Sequence, residues 1–68
     1  MTHYRVYRVG ADDHFEGRPL VLDCANDEAA IEAAKQIIDG LELELWQGRR
    51  QVARLQPSGI VLKPDEQV

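Results

Sequence analysis

Polar and apolar residues nearly alternate on either side of one helical stretch, and the chain divides accordingly. His3-Tyr4-Arg5-Val6-Tyr7-Arg8-Val9 sets β-branched and aromatic residues among polar ones at a period near two, the pattern of a half-exposed strand. Gly10-Ala11-Asp12-Asp13 is turn-like, and Leu20-Val21-Leu22 forms the heart of a second strand that reaches about Cys24. Gly17 and Pro19 interrupt any regular ladder before it. Proline donates no hydrogen bond and glycine often marks a bulge, so this strand should begin irregularly or run along an edge.

The helix follows. Asn26 is placed to cap it, and Asp27 and Glu28 oppose the positive end of its dipole. Ala30, Ile31, Ala34, Ile37 and Ile38 make one apolar stripe, which predicts a helix over residues 27–39 with Gly40 ending it. Leu41-Glu42-Leu43-Glu44-Leu45-Trp46 then alternates strictly, sending three leucines to the core and Glu42, Glu44 and Trp46 the other way. After a turn at Gln47-Gly48, Arg49 to Leu55 reads as a fourth strand. A three-residue loop with a glycine-associated bulge would set Ala53 and Leu55 beside the leucines, Glu42 opposite Arg54 and Trp46 opposite Arg50. A two-residue turn would put Val52 on the leucine side instead; the favourable cross-strand pairs argue for the three-residue loop.

These elements predict an α+β fold of ββαββ order: a four-stranded, largely antiparallel sheet with one helix packed on one face and a right-handed crossover from strand 2 to strand 3. Residues 1–56 form a single domain, and residues 57–68 a C-terminal tail, flexible or docked on a partner subunit, whose apolar run is Ile60-Val61-Leu62.

Composition narrows the function classes. With 68 residues the core is thin, and a lone cysteine, Cys24, precludes an internal disulfide, so association with a second chain is one route to stability. A net charge of −4 disfavours nucleic acid and anionic membranes, which are bound mainly by surplus Lys and Arg. No apolar run has the roughly 20 residues of a membrane-spanning helix, and the N-terminus runs directly into a strand pattern. The expectation is a cytoplasmic protein.

Three strings, His-Tyr-Arg-Val-Tyr-Arg-Val from residue 3, Asp-Cys-Ala-Asn-Asp-Glu-Ala-Ala-Ile-Glu from residue 23, and Glu-Leu-Trp-Gln-Gly-Arg-Arg-Gln-Val-Ala-Arg-Leu from residue 44, together resemble a group of very small alphaproteobacterial proteins of rhizobial type. The resemblance spans about residues 3–56 and implies a bacterial cytoplasmic origin; it carries over no activity, ligand or catalytic residue.

The residues that bear chemistry are scattered. Asp12, His14, Glu16, Gly17 and Asp23 echo a calcium-loop spacing, but the strand signal at Leu20 to Asp23 and the missing flanking helices favour a polar hairpin loop. His3, His14 and Cys24 lack the close spacing of a metal pair. Cys24 precedes a helix N-terminus, which favours thiolate, yet no histidine is placed as its base. Ser58 lacks a nucleophile-elbow context, and Glu42 with Glu44 reads as a salt-bridging strand face. No catalytic residue, metal or cofactor is expected.

What stands out is the sheet face away from the helix. Arg5, Tyr7, Glu42, Glu44, Trp46, Val52 and Arg54 are expected there, with Ile60, Val61 and Leu62 added from the tail. Trp, Tyr and Arg are the types enriched at protein interfaces. The expectation is a small non-enzymatic module that self-associates, most simply as a dimer, or binds another protein. The alternative is a sheet-face binder of nucleic acid or a small ligand using Tyr7, Trp46 and the arginines.

Overall fold

The computed structural model describes residues 2–10 and 14–63, and of Glu16 only the backbone. Ala11, Asp12 and Asp13 of the expected first turn, and Pro64 to Val68 of the expected tail, lie outside the described residues. The element order is β1 (Thr2–Val9), β2 (Phe15–Cys24), α1 (Asp27–Lys35), β3 (Glu42–Gln47), β4 (Arg50–Leu55) and β5 (Val61–Leu62).

All pairings are antiparallel, and the strand order is β2-β1-β3-β4-β5. The sheet has five strands where the sequence pattern indicated four. Since β2 and β3 both run antiparallel to β1, they are parallel to each other, and α1 carries the chain across β1 between them. The core lies between α1 and the sheet. Ala30 and Ala34 of the helix meet Leu43 and Leu45 of β3 and Ala53 and Leu55 of β4, all with no exposed surface. Small alanines bring the helix axis close to the sheet, and the leucines fill the space beneath them.

The helix is shorter than its apolar stripe predicted, ending at Lys35 rather than at residue 39. Gln36 N–H donates to Ala33 O at 3.2 Å, and Ile37 N–H donates to Ala34 O at 3.1 Å. These bonds to the third residue back tighten the final turn. Two adjacent β-branched residues, Ile37 and Ile38, propagate a helix poorly, but both still pack on the core rim. Gly40, at φ +98°, therefore turns the chain into β3 instead of capping the helix.

β2 begins irregularly on a sheet edge, as Gly17 and Pro19 require. Val6 pairs with Leu20 and Arg8 with Glu16, leaving residues 17–19 bulged opposite Tyr7, with Gly17 at φ +70°. The β3–β4 hairpin departs from expectation. Its turn has two residues, Gly48 and Arg49, closed by the Gln47–Arg50 pair, and Gly48 has the positive φ that tight hairpin turns favour. The bulge sits within β4, where Ala53 faces Leu45 and Gln51 faces Trp46, leaving Val52 as the extra residue. Val52 and Ala53 thus both enter the core.

Pro57-Ser58-Gly59 forms a turn. Gln56 N–H donates to Ile60 O, Gly59 N–H to Gln56 O, both at 2.8 Å, and Val61 and Leu62 pair with Leu55 and Arg54. The expected tail thus supplies a fifth strand to its own sheet. Two residues are too few to show a period.

Candidate interaction surface

Strand alternation and register place every side chain on one of two faces. On the helix side, the edge of the core carries a polar cluster. The buried Tyr4 hydroxyl donates to Asp27 Oδ1 at 2.8 Å, and Arg50 Nη1 and Nη2 donate to Asp27 Oδ2 and Oδ1 at 2.9 and 3.0 Å. Arg50 also reaches Gln47 Oε1 at 2.9 Å. Asp27 is held well below the usual carboxylate range, at about 2, by the Arg50 guanidinium and then by the Tyr4 hydroxyl. Burial, reinforced by the Asp27 carboxylate, pushes Tyr4 up. The cluster pins the start of α1 to β1 and β4. Asn26 caps that same end, its Oδ1 accepting from Ala29 N–H at 2.9 Å.

Among the described residues no element covers the sheet face away from the helix, although Val9 within it is buried, and the face forms three cross-strand rows. Val21, Arg5, Trp46 and Gln51 make the first; Tyr7, Glu44, Arg54 and Leu62 the second; Phe15, Val9 and Glu42 the third. Arg54 donates from Nε and Nη2 to Glu42 at 2.7 and 2.9 Å, a forked ion pair. It is diagonal, because the register partner of Arg54 is Glu44. Trp46 Nε1–H donates to Glu44 Oε1 at 3.0 Å. Tyr7 stacks on Phe15 with ring centroids 4.8 Å apart and planes 25° from parallel. Arg5 is exposed, and among the described residues its side chain makes no hydrogen bond or ion pair.

Of the expected surface residues, Arg5, Tyr7, Glu42, Glu44, Trp46, Arg54 and Leu62 share this face. Val52 does not: the β4 bulge turns it inward. Val61 belongs to the other face and packs half-buried against the core, while Ile60 lies exposed just outside β5. Trp46 faces Gln51 rather than Arg50, because Arg50 points to the helix side and its Asp27 partner. Sequence reasoning missed Phe15 and Val21, which are 52% and 59% exposed here. Val21 was legible from its alternation with Leu20 and Leu22. Phe15 was not, since the bulge at Gly17 to Pro19 resets the period before it.

The scattered metal-type residues stay apart. His3 Nε2 lies 2.9 Å from Asp23 Oδ1 on the open face, Cys24 is buried on the other, and His14 lies next to the far end of β2. Among the described residues no three His, Cys, Asp or Glu side chains cluster to hold an ion. No described helix is long and apolar enough to cross a membrane. Comparison with known protein families, curated proteins and solved structures finds no match.

Proposed function

We propose that this chain is a small non-enzymatic interaction module that associates through the open face of its sheet, first of all with a second copy of itself. The observation that carries this reading is that, among the described residues, the open face is the broadest boundary of the sheet without cover. The helix covers the opposite face. At one edge, the Gly17–Pro19 bulge blunts β2; at the other, β5 is two residues long and is followed by Lys63. Short edge strands, bulges, prolines and lysines all discourage pairing with another chain. The face itself carries Arg, Tyr, Phe and Trp, types that supply binding energy at interfaces. Glu42 and Glu44 near its centre set carboxylates where a phosphate backbone would run, so the nucleic-acid alternative fits less well.

Sedimentation equilibrium of the wild type and of Trp46→Ala tests the reading. The wild type should be dimeric at about 100 μM, and the variant should be folded and monomeric. A wild type that stays monomeric there, corresponding to less than about 5.5 kcal/mol of association free energy, removes it.

A further inference from the structure

Four side chains on the open face form a square. Arg5 stands opposite Trp46, and in the next row Tyr7 stands opposite Glu44. The aromatics thus occupy one diagonal and the charges the other. Beside them on this face, Arg54 holds Glu42 in a forked ion pair, and the His3 ring lies against Asp23. Among the described residues, the Arg5 side chain makes no polar contact, and Glu44 accepts a hydrogen bond from the neutral Trp46 indole and forms no ion pair, although Arg54 stands opposite it in register. A cation and an anion are left over on the same surface.

Resting on the self-association proposed above, we infer that two copies pack face to face about a two-fold axis along the aromatic diagonal of this square, each Arg5 meeting Glu44 of the other copy. The argument is one of symmetry. A two-fold axis lying in the interface along that diagonal exchanges the two charged corners and returns each aromatic corner to its own position. Arg5 then faces Glu44 twice, and Trp46 and Tyr7 meet their counterparts around the axis. The other diagonal would set Arg5 against Arg5 and Glu44 against Glu44, like charges that repel across the interface. An axis along or across the strands instead sets each charge against an aromatic ring, with Glu44 facing the electron-rich face of an aromatic or losing water without a counter-charge. The diagonal axis crosses the strands of the two sheets near a right angle, one of the two preferred ways in which sheets stack. The surface is large enough. Five strands about 4.8 Å apart and about 20 Å long present roughly 500 Å² in projection, which side-chain relief brings toward the about 800 Å² per partner of a standard interface.

The test is charge reversal read by sedimentation equilibrium. Arg5→Glu and Glu44→Arg should each weaken the dimer at least about tenfold, since each sets like charges together. The two single variants mixed should form a heterodimer, and the double variant Arg5→Glu/Glu44→Arg should return to within about threefold of wild type. Arg49→Glu, the same charge change on the β3–β4 turn, should leave the dissociation constant unchanged. Singles that leave the dimer intact, or that break it with no recovery in the mixture and the double variant, overturn the pairing while the open-face reading stands. A monomeric wild type overturns both. If a reversal unfolds the chain, Arg5→Gln and Glu44→Gln serve in its place: each should weaken the dimer and flatten its dependence on salt, and unchanged salt dependence overturns the pairing.

Discussion

The two faces of this sheet share their strands and their backbone ladder, yet they handle charge in opposite ways. On the covered face the centre is wholly apolar, Leu43, Leu45, Ala53 and Leu55 having no exposed surface, and polar contacts are pushed to the rim. There Tyr4, Asp27 and Arg50 lock the start of the helix, and Arg8 Nε reaches Asp39 Oδ2 at 3.2 Å beyond its end. On the open face the ion pair of Arg54 and Glu42 and the bond from Trp46 to Glu44 lie among the cross-strand rows. The difference follows from water. Charges under a helix would lose hydration that a pair seldom repays, whereas charges on an open sheet keep most of it. A face that keeps central charges is built to stay wet or to meet a partner of complementary charge.

Three substitutions break or sharpen this contrast. The largest effect is expected at Leu45→Ala, which removes three heavy atoms from the packing beneath Ala30 and Ala34, a loss that relaxation refills only in part, and should cost about 2–5 kcal/mol in urea unfolding. That is a large share of the stability of so short a chain. A cost below about 1 kcal/mol would mean that the covered face is not the core.

Asp27→Ala should come second, at about 1–3 kcal/mol, because it leaves the buried Tyr4 hydroxyl without its acceptor. Its pH dependence is the sharper measurement. With the Asp27 pKa lowered from 3.8 to about 2, the wild type has the full contribution of this carboxylate above about pH 4 and loses it as pH falls toward 2. Thermal melts across that window should show a steeper fall for the wild type than for the variant; parallel curves would deny the rim cluster its role. Arg54→Ala should cost least, about 0–1 kcal/mol, since its ion pair with Glu42 remains partly hydrated. A loss of several kcal/mol would show that the open face is as tightly packed as the covered one.

Legibility in the sequence followed the length of each regular pattern. Strict alternation in Leu41 to Trp46 identified the core leucines Leu43 and Leu45 and the outward Glu42, Glu44 and Trp46, whereas Leu41, expected in the core, precedes β3 and stays half-buried outside it, because the chain still bends at Gly40 and Leu41. The β4 bulge was harder, since Val52 and Ala53 are both apolar and a period of two admits only one of them on each face. Ala53 and Leu55 were placed correctly beside the leucines, although by a different turn from the one expected. The salt bridge from Arg54 to Glu42 was legible as a charge complement, but its diagonal geometry depended on the register.

The sequence by itself determined the element order from β1 to β4, the apolar faces of α1 and β3, and the polar, aromatic character of the opposite face, because periods of 3.6 and 2 are local properties of backbone geometry. Tertiary structure alone decided the strand order β2-β1-β3-β4-β5, the pairing of Val61 and Leu62 as a fifth strand, the inward turn of Val52 and the joining of Tyr4, Asp27 and Arg50. Each of these depends on which distant segments meet, and no local period encodes that. The backbone groups of a two-residue strand and the hydroxyl of a buried tyrosine find partners only once the sheet has brought them within about 3 Å.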